Sequence, residues 1–324
     1  MHTMNRRAAA SAVAALSLPC AWSQEAAQYP DKPLRIVVPY PPGGFNDTLG
    51  RLLATHLANA WKQPAMVDNR PGGGTTIGTQ AVATARADGL TLLVAQFPFG
   101  ANPWLYKLPY DTVRAFAPVM LAGRAPMVLV AHAAAPYRNA ADLVKAARER
   151  PGAIPYGSSG PGSSNHLFMV LFESLSGIRM NQVPYKGSTP MLTDLAGGQI
   201  DVAVDLLPQA LPFIQSGKVR PLAIASDKRS PLMPDIPTAA EAGVPGFEGS
   251  SWHGIVAPAG TPEPVIAKLN AELNRFLQLP EARKTFAAQG VVPDGGTPAD
   301  FQRFIESQLA LWKRVVQQNH ITAG

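Results

Sequence analysis

The sequence predicts a two-lobed α/β protein with mainly parallel sheet, and three observations carry that prediction. Strand-like and helix-like patterns alternate along the chain, the order that builds parallel sheets. Two glycine-rich turns, PYPPGGFND (39–47) and GSSGPGSSNH (157–166), each lie between a strand and the start of a helix. About 300 residues remain after an N-terminal leader, more than one hydrophobic core usually serves.

Leu34–Val38 reads as a short buried strand, and the first turn follows it. Residues 47–61 read as a helix, because Leu49, Leu52, Leu53, Leu57 and Ala60 recur at three- and four-residue spacing. Asp47 sits where an N-cap belongs. A strand ends near Val67, a glycine turn covers 72–74, and a helix follows at 76–86. Asp88-Gly89 breaks that helix, and Thr91–Ala95 is the next strand. The unit recurs: Ser164–Leu175 is helical up to Gly177, with a strand at 180–184 and a helix at 189–196. Ile200–Val204 and Leu222–Ala225 read as strands on either side of a helix near 208–216. Pro231, Pro234 and Pro237 mark an irregular stretch, and the end is helical at 263–276, 280–289 and 298–318. No composition shift or Ser/Gly linker marks a boundary, so structured crossings are expected, with Met127–Ala131 and Ile255–Ala257 as candidates. Proline, 32 of 324 residues, is about twice its usual share, which suits rigid loops around a cleft.

The first 23 residues read as an export signal. Arg6 and Arg7 precede a short apolar stretch, Ala8 to Leu18, too short to span a bilayer. Ala21 and Ser23 place small residues for cleavage before Gln24. Pro19 before Cys20 argues against a lipoprotein site, and the general secretory route is favoured over the twin-arginine one. Cys20 is the sole cysteine, so the mature chain has no disulfide, thiol nucleophile or thiolate metal site. Net charge is +6, and charged residues are 15% of the chain against about 25% typically. No basic cluster with interleaved aromatics marks a nucleic-acid partner. No later apolar run approaches the roughly 18 residues of a membrane span. The mature chain is read as a non-membrane-spanning monomer that suits an anionic small ligand.

A helix start presents free backbone N–H groups at the positive end of its dipole, a ready anion site. Two of them, one in each half of the chain, predict a small anion held between two lobes. Gly43 and Gly44 would let backbone approach the anion, or only supply a tight turn. Ser158, Ser159, Gly160, Gly162, Ser163 and Asn165 form a second cradle rich in hydroxyls and N–H groups, or ordinary capping. His166 reaches the ligand from the first helical turn or braces the turn. Asp47 caps its helix or faces the cleft, where its charge would favour an ammonium-bearing ligand. Tyr185, Lys186 and Gly187 precede a third helix start, with Lys186 either attracting an anion or simply solvated. Asp205, at a strand end, is a further candidate for facing the cleft. Gly72 to Gly78 has the spacing of some dinucleotide turns, but Pro71 precedes it, and no cofactor is expected. His56, His132, His253 and His320 are scattered, without H-E-x-x-H. G-x-S-x-G and P-loop patterns are missing too, so binding rather than catalysis is expected.

The segments YPDKPLRIVVPYPPGG (29–44), VDNRPGGG (67–74), ADGLTLL (87–93), LPYD (108–111) and GSSGPGS (157–163) resemble the Bug family of periplasmic solute-binding proteins. Those proteins serve tripartite tricarboxylate transporters. VPYKGSTP (183–190), DLAGGQID (194–201), DIPTAAEAGVPGFE (235–248) and WHGIVAPAGTP (252–262) continue the match in family order. The resemblance implies a type II periplasmic-binding-protein fold, two α/β domains around a ligand cleft. Carried over, domain 1 is 29–127 plus 252–324 and domain 2 is 128–251. It implies a small carboxylate ligand, contacts made largely by backbone groups and ordered waters, and membrane transporter subunits as partners. Phe45 and Asn46 lie where the family varies, so they are expected to alter the ligand. One departure is Gly72-Gly73-Gly74-Thr75, where the family often has Gly-Ala-Gly-Gly. A ligand-binding sensory protein that docks a receptor kinase is the alternative reading.

Overall fold

The computed structural model describes residues 29–322; the leader read at 1–23, with Cys20, lies outside the described residues. The strands are β1 (Leu34–Val38), β2 (Ala65–Asn69), β3 (Thr91–Gln96), β4 (Phe116–His132), β5 (Pro155–Ser158), β6 (Asn181–Pro184), β7 (Val202–Leu206), β8 (Val219–Ala225), β9 (Ser250–Pro258) and β10 (Val292–Pro293). They form one continuous sheet in the order β2-β1-β3-β9-β4-β7-β5-β6, with β10 and β8 also paired to β4. The inner strands are apolar and buried on both faces, as in LRIVV of β1 and VAVDL of β7, the pattern of strands covered by helices on both sides.

The expected mainly parallel sheet is corrected to a mixed one. Pairings β1–β2, β1–β3, β5–β6 and β5–β7 are parallel. Pairings β3–β9, β4–β9, β4–β7, β4–β8 and β4–β10 are antiparallel. Four of the five antiparallel pairings involve β4, a 17-residue strand that runs through both lobes. Pro118, Gly123 and Pro126 interrupt its sequence pattern and hide it. Pro118 sits at a shift in register against β9, a place where a strand tolerates proline.

The crossings are also displaced. Pro126 still pairs with Ser250 of β9, whereas Met127 pairs with Leu206 of β7 and Ala225 of β8. The first crossing is therefore at 126–127, and Met127–Ala131 is already inside the second lobe. Gly249 N donates to Ala225 O at 2.9 Å, so the return crossing is at 249–250. Ile255–Ala257, read as a crossing, is a buried central strand paired with Val94, Leu93 and Ala117.

The helices are α1 (Phe45–Trp61), α2 (Thr76–Ala83), α3 (Phe97–Leu105), α4 (Ala140–Glu149), α5 (Ser164–Ser176), α6 (Ser188–Ala196), α7 (Leu207–Gln215), α8 (Glu263–Phe276), α9 (Pro280–Ala288) and α10 (Pro298–Gln318). The sequence reading lacked α3, whose Pro98, Gly100 and Pro103 mask it, and α4. Asn139 starts α4 by accepting from Asp142 N at 2.9 Å. In the first lobe, Leu49, Leu53 and Leu57 of α1 are each no more than 1% exposed against Leu34, Ile36 and Val38. Burial of each is worth roughly 1.5–3 kcal/mol. The second-lobe core gathers Leu129, Tyr156, Phe168, Phe172 and Phe247. Trp312, Val315 and Val316, at the end of α10, join that second core.

The register places the site. Gln96, ending β3, pairs with His253, and His253 pairs with Gly123, three residues before the first crossing. Leu206, ending β7, pairs with Met127, just past the crossing. Carboxyl ends of strands from both lobes therefore meet at the junction, the position where open α/β sheets bind ligands.

Candidate functional site

The first turn leads from β1 into α1. Gly43 has φ +105°, which requires glycine. Gly44 is extended, with φ −84° and ψ 174°, and is the N-cap of α1 without a side-chain bond. A Cβ built on either glycine would meet no heavy atom within 4 Å. The opening amides of α1 thus sit behind two glycines that face open space.

Asp47 is not the cap. The helix starts at Phe45 instead of 47, so Asp47 is its third residue and reaches back. Its Oδ2 accepts from Gly43 N at 3.1 Å and Arg51 Nε at 3.0 Å, and its Oδ1 accepts from Asn69 Nδ2 at 3.0 Å. The Arg51 guanidinium above all, then Asn69 and Gly43, hold its carboxyl below the ordinary range. The Asp47 charge is committed to bracing the turn.

Asn46 is buried and lies 2.8 Å from His253 Nδ1 through its Oδ1. Burial pushes the His253 imidazole down to about 3, so it is neutral. The Phe45 ring meets His253 edge-on at 4.7 Å and Phe286 at 5.1 Å, which turns it toward the first core. Beside them the Tyr40 hydroxyl donates to Gln96 Oε1, and Tyr40 O accepts from Asn69 Nδ2 at 3.2 Å. None of His253, Asn69 and Gln96 is among the site residues expected from the sequence, because each partner is 22 to 207 residues away along the chain.

The second turn leads from β5 into α5. Ser158 is fully buried and accepts from Gln182 Nε2 at 2.8 Å and Gly160 N at 3.3 Å. The Ser159 hydroxyl donates to Asn165 Oδ1 at 2.7 Å. Gly160 and Gly162 have φ +104° and +74°. Ser163 caps α5 by accepting from His166 N at 3.3 Å, and its own hydroxyl donates to Gly160 O at 2.7 Å. Gly162 N donates to His166 Nδ1 at 3.1 Å, so the ring proton belongs on Nε2. Burial lowers the His166 pKa. The structure therefore favours the bracing reading of His166.

Asn165 and Asp205 come together: Asn165 Nδ2 donates to Asp205 Oδ1 at 2.9 Å and to Val204 O at 2.8 Å. Ser188, which the sequence reading passed over, donates to the same Oδ1 at 3.1 Å. Gly187, with φ +113°, is the N-cap of α6 and makes no side-chain bond. Tyr185 N donates to Ser158 O at 2.8 Å, joining this segment to the second turn. The Tyr185 hydroxyl is used within the lobe, donating to Asp194 at 3.0 Å. Lys186 is exposed. Two helix starts, α5 and α6, are thus tied together in the second lobe.

The glycine run at 72–78 is a turn with positive φ at Gly72, Gly73, Gly74 and Thr75. Gly74 O accepts from Asn102 Nδ2 at 2.7 Å, so the run is held as structure. Among the described residues there is no cluster of three or more His, Cys, Asp or Glu that could hold a metal. No described helix is long and apolar enough to cross a membrane.

The family described as "Tripartite tricarboxylate transporter family receptor" matches residues 49–321. The protein BugT of Bordetella pertussis is 38% identical over 293 residues, 90% of each chain. A solved R. palustris protein with adipate is 38% identical, with a TM-score of 0.75 over 90% of this chain and 99% of its own. MatC of Rhodopseudomonas palustris with bound malate is 33% identical, with a TM-score of 0.72 over 89% of this chain and all of its own. With that span of match in sequence and in fold, the chain belongs to the tripartite tricarboxylate transporter receptor family, as a two-lobed α/β solute-binding protein and not an enzyme.

Proposed function

We propose that this receptor captures a small dicarboxylate between the α1 start of one lobe and the α5 and α6 starts of the other. The observation that carries the reading is the pair of glycine-fronted helix starts at the strand ends of two lobes. Each end supplies uncommitted amides to one carboxylate, and two ends suit an acid with a carboxylate at each end. The relatives solved with adipate and malate support that class.

Gly43, Gly44, Phe45, Asn46 and Asp47 build the first half of the site. Ser158, Ser159, Gly160, Gly162, Ser163, Asn165, His166, Tyr185, Lys186, Gly187 and Asp205 build the second. Backbone N–H groups make the contacts, and the side chains shape them. The two lobes, which the resemblance divides as 29–127 with 252–324 and 128–251 and the strand pairing moves to crossings at 126–127 and 249–250, close over the ligand because contacts from both favour the closed state. The chain works as an exported periplasmic monomer, with a mature start at Gln24, and passes its cargo to membrane subunits of the transporter. N-terminal sequencing of the periplasmic protein checks the start.

A thermal-shift screen of carboxylic acids tests the ligand class. A true ligand at a hundred times its Kd stabilises by about 2.7 kcal/mol. Adipate, malate or a homologous diacid should raise the midpoint. Stabilisation by neutral sugars or amines, with none from any acid, would contradict the reading.

A further inference from the structure

Asp205 is the penultimate residue of β7 and is 1% exposed. Its two oxygens are used unequally. Oδ1 accepts from Asn165 Nδ2 at 2.9 Å, the Ser188 hydroxyl at 3.1 Å and Leu206 N at 2.8 Å. Oδ2 is buried and has no hydrogen-bond partner. A buried polar atom in that state carries a free-energy cost and calls for a reason.

The partners of Oδ1 lead to two helix starts. Asn165 is the second residue of α5 and also receives the Ser159 hydroxyl. Ser188 is the first residue of α6. The carboxylate therefore ties together the two turns that form the second half of the proposed site. It does so without a bonded cation. On α5 stands His166, whose pKa burial lowers. On the segment before α6 stand Lys186, which is exposed, and Tyr185, whose hydroxyl is given to Asp194. On β4 the neighbour in register is Val128. The other strand paired with β7 is β5, which runs Pro155-Tyr156-Gly157-Ser158 with Tyr156 opposite Val202 and Gly157 opposite Ala203, and α7 opens with Leu207-Pro208. Asp47, the buried carboxylate of the opposite turn, is in the reverse condition, with Arg51 bonded to it and both oxygens occupied.

We propose that Asp205 takes up a proton on Oδ2 when a carboxylate docks between the lobes, so that ligand capture is proton-linked. The inference rests on the carboxylate reading above. The proton comes from solvent, the ligand remains an anion, and no bond of the ligand changes. Neutralising Asp205 removes a like charge from beside the incoming carboxylate and turns Oδ2 from an orphaned acceptor into a donor. Burial has already moved its carboxyl up to about 6, with bonds from Leu206, Asn165 and Ser188 opposing. A second negative charge nearby raises it further, across neutral pH.

Calorimetric titration of the full-length mature protein with malate and with adipate, at pH 7 in phosphate and in Tris, reads the proton count. Buffers of different ionisation enthalpy give different apparent heats when a proton is taken up. The wild type should show uptake of a fraction of a proton. Its affinity should fall two- to about tenfold from pH 6.5 to 8.5, tenfold being the limit for one further unit of pKa. Asp205→Asn, which preserves the shape and the Oδ1 acceptor, should bind with heats independent of buffer and a flat pH profile. Buffer-independent heats in the wild type would overturn the inference while leaving the carboxylate reading intact, and that result needs no folded variant. Uptake retained in Asp205→Asn, or lost in His166→Gln with binding kept, would assign the proton elsewhere and overturn it too. No binding of any acid would overturn the carboxylate reading, and the inference with it.

Discussion

The ring of Phe97, the first residue of α3, meets Trp312 of α10 edge-on with centroids 4.9 Å apart. Phe168 of α5 completes the cluster, 5.8 Å from Phe97 and 4.9 Å from Trp312. Phe97 directly follows the last residue of β3 in the first lobe, and Phe168 lies on the helix that starts at the second-lobe turn. The three rings therefore pack an element of the first lobe against one of the second.

Truncation of Phe97 removes the shared ring. Phe97→Ala should destabilise the protein by about 3–5 kcal/mol, read by urea unfolding. A loss below 1 kcal/mol would mean that the lobes are not coupled through this cluster.

Asp47 braces the first turn as an ionised acceptor. Asp47→Ala leaves the Gly43 amide, Asn69 and Arg51 without it and should cost about 1–3 kcal/mol at pH 7. Its folded pKa is depressed, so its contribution is present above the unfolded carboxylate range and disappears as pH falls through the folded value. The gap between variant and wild type should close toward pH 3, as followed by denaturant midpoints. A gap that widens on acidification would contradict the ion-pair account.

Asp205 has the opposite sign. Its folded carboxyl stands at about 6, above the unfolded range near 4. Ionisation then opposes folding, and stability is lost as pH rises from about 4 through 6. Without ligand, Asp205→Asn should gain stability over wild type at pH 8, by up to about 3 kcal/mol, and show little gain at pH 4. An equal difference at both values would show that Asp205 does not titrate in this range.

Much of the fold was legible because its signals are local. Leu49, Leu53 and Leu57 mark α1, and Thr297 with Asp300 forms a capping box that starts α10. What was hidden depends on partners far along the chain. Asp47 looked like a cap because it precedes an apolar stripe, but Gly44 needs no side chain to end the turn. The strand β4 was broken on paper by Pro118 and Pro126, both tolerated where its register shifts or its partners change. In the candidate site, glycines and serines announced the turns. Asn46–His253 and Ser188–Asp205 arise only when β9 and β7 reach the junction.

Closure predicts a change of shape. Small-angle scattering with saturating malate or adipate should give a smaller radius of gyration than the ligand-free protein. An unchanged radius, in a protein that binds the acid, would place capture within one rigid form.

The central claim is that backbone amides behind Gly43 and Gly44 hold one end of the ligand. Gly44 has ordinary backbone angles and open space at its Cβ position, so Gly44→Val is expected to fold with an unchanged melting midpoint while covering those amides. Ser159→Ala removes one hydroxyl and should cost about 0.5–1.5 kcal/mol of binding, up to about 3 if its partner is charged. Calorimetric titration of the acid that stabilises the wild type, against both variants, decides the matter. The account predicts at least a tenfold loss of affinity for Gly44→Val and a smaller loss for Ser159→Ala. Wild-type affinity in a folded Gly44→Val protein, or a larger loss from Lys186→Ala than from either, would contradict it.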